Sequence, residues 1–128
     1  VRELVETGSW PASVSTVNLA GEAFLRPLAE AVHRLPGVRR VHNLYGPTED
    51  TTYSTWEPVA AGESAPPAIG RPVTGGRALV LDRAFGPVPR GVVADLYLSG
   101  AGLAVGYLGR PSRTAASFLP DPWNPRPG

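Results

Sequence analysis

An α/β fold is predicted: a strand–helix–strand unit that runs into a β-rich part. Three observations carry it. Val14 to Ala20 alternates, with Val17 and Leu19 on one face and Thr16, Asn18 and Ala20 on the other, the period of a half-buried strand. Phe24, Leu28, Val32 and Leu35 then recur at helical spacing, with Leu25 and Ala31 widening the stripe. Arg40 to Leu44 follows as a second strand, and a helical crossover between two strands suits parallel pairing.

Each element has a local reason. Gly21 turns the chain out of the first strand. Pro27 is tolerated only in a first helical turn, so the helix is expected to begin near Leu25 or Arg26. Pro36-Gly37 stops it. After the loop Tyr45 to Glu49, the β-branched and aromatic run Thr51 to Trp56 reads as a strand. Ala60 to Pro67 is a loop of small residues. Arg77 to Leu81 and Val92 to Leu98 read as two more strands, joined antiparallel by the short Gly- and Pro-bearing link 83–91. Gly100 to Gly109 is glycine-studded, and Pro111 to Phe118 makes a short helix. From Pro120 onward, four prolines in nine residues end regular structure. The expected division is an α/β part over about residues 1–60 and a β-rich part with the short helix over about 68–128.

Composition narrows the function. The 128 residues carry 12 basic and 11 acidic side chains, net +1, which argues against nucleic-acid or membrane-surface binding, both of which need a concentrated basic face. With no cysteine, disulfides, thiolate metal sites and a cysteine nucleophile are excluded. No run of 18 apolar residues exists, so nothing reads as a membrane-spanning helix. All the basic residues are arginines, so chemistry that needs a lysine must draw it from elsewhere. The chain opens on Val1-Arg2-Glu3-Leu4 without a methionine and reads as an internal fragment.

The stretch richest in chemistry is Asn43-Leu44-Tyr45-Gly46-Pro47-Thr48-Glu49. An aromatic offers a stacking face, a hydroxyl can donate to a phosphate oxygen, and a carboxylate is a hard ligand for Mg²⁺. It follows a predicted parallel strand, at whose carboxyl end ligands collect in α/β folds. A plain turn with a solvated glutamate fits these residues equally well. His33 and His42 read as structural.

This stretch resembles the N-x-Y-G-P-T-E motif of adenylation domains from nonribosomal peptide synthetases, in the adenylate-forming superfamily. Asn18 to Ala23, Ile69-Gly70-Arg71-Pro72 with Val80-Leu81-Asp82, Asp95 to Pro111, and Thr114 to Phe118 with Pro120-Asp121-Pro122 resemble further motifs in the family's order. Two departures stand out: Ala94-Asp95 replaces the usual Gly-Glu, and Val105 the common Arg. The resemblance implies the N-terminal core of such a domain, its flavodoxin-like part leading into a β-rich subdomain. It implies activation of an amino acid by ATP and Mg²⁺ to aminoacyl-AMP, then loading onto the phosphopantetheine thiol of a carrier domain. Carrier and condensation domains in the same chain and a cytoplasmic location are implied too.

Carried over residue by residue, Tyr45 stacks on adenine, Asn43 meets its amino edge, and Gly21, Glu22 and Ala23 approach the ring. Thr48 holds the α-phosphate and Glu49 the Mg²⁺. Gly46 and Thr52 offer carbonyls to the substrate ammonium, and Asn18, Ala20, Leu44, Thr52 and Tyr53 line the side-chain pocket. These five resemble the partial code for L-alanine. Arg110 to Trp123 resembles the surface that receives a small MbtH-like protein, with Ala115 or Ala116 in contact. The glycines at 100, 102 and 106 read as turns and close packing, not phosphate binding. The family's phosphate loop, ribose-binding aspartate and catalytic lysine have no counterpart here, so the fragment alone is expected to be inactive. An acyl- or aryl-CoA ligase and a non-catalytic interaction module are the competing readings.

Overall fold

A computed structural model describes residues 1–124. Its first sheet has four strands in the order β1 (Thr16–Leu19), β2 (Arg40–Tyr45), β3 (Thr55–Pro58) and β4 (Arg71–Pro72). β1 and β2 run parallel, with Asn18 opposite His42, and the other pairs are antiparallel. β5 (Gly76–Leu81) and β6 (Asp95–Gly100) form a separate antiparallel ribbon. Helix α1 (Arg2–Thr7) precedes the sheet, α2 (Arg26–His33) crosses from β1 to β2, and α3 (Pro111–Ser117) follows β6. The expected α/β class and the strand–helix–strand unit hold.

The core lies between α2 and the odd-numbered face of the sheet. Val17, Val41 and Val59 pack there against Phe24, Ala29 and Val32, all buried. α2 begins where its proline allows, with Leu25 as an extended N-cap. The stripe differs in detail: Leu25 is exposed, and Ala29 is the fully buried small residue. His33 Nε2 donates to the Val59 carbonyl (2.8 Å), a structural contact.

Four boundaries depart from expectation. α1 has no buried residue and no side-chain cap, so it leaves no stripe or capping signal to read. The strand expected over Thr51 to Trp56 starts only at Thr55: Thr48–Asp50 forms a 3₁₀ turn, and Thr51 and Thr52 have φ of 45° and 79°. The last expected strand begins at Asp95 rather than Val92, leaving Val93 fully exposed. β4 is a two-residue strand made by tertiary contact. Gly70 has φ 78°, and a Cβ there would overlap the Trp56 carbonyl, so the Ile69–Pro72 motif is the tight turn that lays β4 on β3. The asparagine amide of Asn43 and the hydroxyl of Thr55 pin this turn by donating to the carbonyls of Ala68 (2.9 Å) and Ile69 (2.6 Å). The expected proline-rich end continues through Asn124; Pro125 to Gly128 lie outside the described residues.

Candidate functional site

The loop after β2 is built by backbone. Tyr45 ends the strand half-exposed, and its carbonyl accepts from Ser54 N–H (2.7 Å). Gly46 lies so close to the returning chain that a Cβ would sit 2.6 Å from Ser54 N and 2.7 Å from the Thr52 oxygen. Gly46 and Thr52 are thus neighbours, although the assumed strand at Thr52 is absent. Thr51 donates its hydroxyl to the Gly102 carbonyl (2.5 Å), and Ala104 N–H donates to the Glu49 carbonyl (2.8 Å). These bonds hold two threonines at positive φ, which for a β-branched residue is a strained backbone.

Glu49 is held from outside the loop. The Tyr107 hydroxyl donates to its Oε1. That hydrogen bond above all, then the residue's own backbone, hold the carboxyl below the usual carboxylate value; burial opposes them, and the charge of Arg113 adds the smallest lowering. With the folded value below the unfolded one, the contact stabilises fully above the unfolded value. That stabilisation is lost as pH falls through the folded value. In a carboxyl-labelled NMR titration, Glu49 is therefore expected to ionise below the usual glutamate range, and Tyr107→Phe to move it upward. A Glu49 titration that Tyr107→Phe leaves in place would contradict this.

The expected site residues do not all meet in one cavity: Asn43 is buried with its amide on the Ala68 carbonyl, and others line two separate cavities. Asn18, Ala20, Glu22, Ala23 and Tyr53 line one cavity of about 350 Å³. Tyr45 and Glu49 open onto another, about 390 Å³, between the β5–β6 ribbon and α3. Leu44 extends the β1–β2 register onto the face that carries Asn18 and Ala20. Gly21 sits in the turn beside the first cavity, and Thr48 is exposed at the start of the 3₁₀ turn. His42 orients Asn18: its Nδ1 lies 2.9 Å from Asn18 Oδ1, and its ring meets Trp56 edge-on. Sequence reasoning read His42 as structural without its Asn18 contact, and gave Tyr107 no role although it lies in the Asp95–Pro111 motif. The parallel register could have exposed the first, but nothing local pairs the second with Glu49.

Glu49 fits a Mg²⁺ ligand by its chemistry. Among the described residues no group of three His, Cys, Asp or Glu could cage a metal, and Mg²⁺ bound with phosphates needs only one or two carboxylates. Ser54 Oγ, buried and unpartnered among the described residues, leaves one more polar group of this loop unspent. No described helix is long and apolar enough to cross a membrane.

Residues 3–108 match the family of AMP-binding enzymes, and the chain belongs to that family. Within it, the chain corresponds to part of the adenylation-domain core of nonribosomal peptide synthetases. It is 51% identical over 126 residues to a linear gramicidin synthase polypeptide of Brevibacillus parabrevis, covering 98% of this chain and 2% of that protein. Its fold matches a four-domain nonribosomal peptide synthetase bound to AMP and glycine, with a TM-score of 0.80 and 34% identity over 94% of this chain and 9% of that one. It also matches a synthetase protein containing adenylation and PCP domains bound to a vinylsulfonamide inhibitor, with a TM-score of 0.77 and 30% identity over 89% of this chain and 20% of that one. The chain therefore spans a small part of the length of its relatives.

Proposed function

We propose that this segment lines the nucleotide and amino-acid site of an adenylating ligase that makes aminoacyl-AMP and loads a carrier thiol. The observation that carries it is the carboxylate of Glu49, held by Tyr107 beside Tyr45 in the Asn43–Glu49 loop. Tyr45 offers a ring to adenine. Asn43 would meet the adenine amino edge, and Gly21, Glu22 and Ala23 supply backbone at the first cavity. Thr48 would donate to the α-phosphate, and Glu49 would hold the Mg²⁺. The metal supplies charge neutralisation at the phosphates. Gly46 and Thr52 lie side by side, and their carbonyls would meet the substrate ammonium.

The substrate proposed is L-alanine, with glycine or another small amino acid next. Leu44 and Tyr53 would fill the pocket that Asn18, Ala20 and Thr52 complete, and none of the five can pair a charged side chain. The 34% identical synthetase bound to AMP and glycine supports a small substrate. The preference over glycine is shallow, because one methylene is worth only about 1–3 kcal/mol. ATP–pyrophosphate exchange by the full-length protein, with amino acids and carboxylic acids run separately, tests both levels. Alanine is expected to lead, and Tyr53→Gly to admit larger aliphatic side chains. Exchange driven by aryl or fatty acids instead would establish the CoA-ligase alternative. No exchange with either class would favour the interaction module, and a preference for phenylalanine, glutamate or ornithine would sink the pocket argument. A PCP domain beside the adenylation domain in one relative supports a phosphopantetheine carrier partner, with a condensation domain in the same assembly. Exposed Ala115 and Ala116 on α3 leave a surface for an MbtH-like protein.

A further inference from the structure

The glycine-bearing segment and α3 bring no group to the nucleotide or amino acid in the function proposed above, yet they supply the group that holds Glu49. Tyr107 reaches Glu49 across 58 positions of sequence. Its backbone N–H donates to Thr114 Oγ1 at 2.9 Å. Its ring meets Phe118 at 5.5 Å and 75°. The Arg113 guanidinium stands 4.5 Å from the ring centroid. Thr114 and Arg113 belong to α3, and Phe118 is its C-cap. The helix therefore fixes the ring, and the hydroxyl is the part of Tyr107 that reaches the nucleotide loop, where it takes Oε1 of Glu49.

We propose that Tyr107 is a positioning residue for the Glu49 carboxylate, and that α3 sets this position through Arg113, Thr114 and Phe118. The inference rests on the function proposed above, which makes Glu49 the carboxylate that meets the nucleotide's cation. A glutamate side chain loses rotamer freedom when it takes a single pose. Tyr107 holds that pose before any ligand arrives, so its removal should weaken the cation-dependent part of nucleotide binding and leave the rest.

The test is equilibrium ATP binding by calorimetry on the full-length protein, with Mg²⁺ and with EDTA, beside exchange kinetics. Tyr107→Phe keeps the ring and its contacts and removes only the hydroxyl. It is expected to weaken ATP binding in Mg²⁺ about tenfold, as loss of a hydrogen bond to a charged group does. Binding in EDTA and the KM for the amino acid are expected to stay at wild-type values. Arg113→Ala, on the exposed side of α3, should weaken Mg²⁺-dependent binding about 2–5-fold, and Arg113→Lys should restore part of it. Wild-type binding by Tyr107→Phe in Mg²⁺, or equal weakening with and without metal, overturns the positioning role. Wild-type behaviour of Arg113→Ala removes the helix from it. A wild-type protein that binds ATP no better with Mg²⁺ than with EDTA overturns the functional reading itself, and this inference with it.

Discussion

Glu49→Ala in the full-length protein is expected to lower amino-acid-dependent ATP–pyrophosphate exchange by about 10²–10³-fold, the usual cost of removing one preorganised electrostatic group. The size follows from isolation. Glu49 is the carboxylate that Tyr107 holds at the loop, and no described cluster of acidic groups or histidines can take over a cation. Its neighbour Asp50 is buried, with its Oδ1 pressed toward Gly102. The loss should be in the rate at saturating amino acid, because the pocket residues Asn18, Ala20 and Tyr53 line a different cavity. An unchanged rate at saturating Mg²⁺ would take Glu49 out of the site.

The second large effect is expected at Gly46. An alanine methyl there would sit 2.6 Å from Ser54 N, 2.7 Å from the Thr52 oxygen and 2.7 Å from Tyr53 Cα. All three are backbone atoms, so no side chain can swing aside. The loop must open, and the Ser54-to-Tyr45 hydrogen bond goes with it. Overpacking of this kind costs about 1–3 kcal/mol. Gly46→Ala should therefore lower the melting temperature of the adenylation core and weaken ATP binding together. A melt coincident with wild type would show that the chain absorbs the methyl.

What the sequence made legible is local or periodic. The α2 stripe, the alternation of β1, Pro27 at the helix start and the antiparallel β5–β6 return are each written within a short span, and each appears. The Asn43–Glu49 loop was legible as a motif. Its shape was not. Thr51, Thr52 and Tyr53 have the β-branched and aromatic character of a strand, but the chain turns there, with Thr51 tied to Gly102 and the preceding Glu49 carbonyl to Ala104. Their β-propensity lost to contacts made far along the chain, as it does where a backbone is held by its surroundings. β4 was invisible for the same reason: two residues become a strand only because Gly70 lets them reach β3. The pairing of Tyr107 with Glu49 leaves no trace at either position.

The stitching of the loop to the glycine segment also sets an order of events during synthesis. β1 and β2 can pair as soon as residue 45 has left the ribosome, since their register lies within that span, and Val59 completes the core under α2 soon after. The turn at Thr48–Thr52 cannot take its final form then. Its strained threonines are held by Gly102, its glutamate by Ala104 and Tyr107, and that tyrosine by Thr114 on α3. At about 5–20 residues per second, the nascent chain spends several seconds with a settled sheet and an unfinished loop at Thr48–Thr52. The loop proposed to meet the nucleotide is thus among the last parts to be assembled, although its own residues are made early.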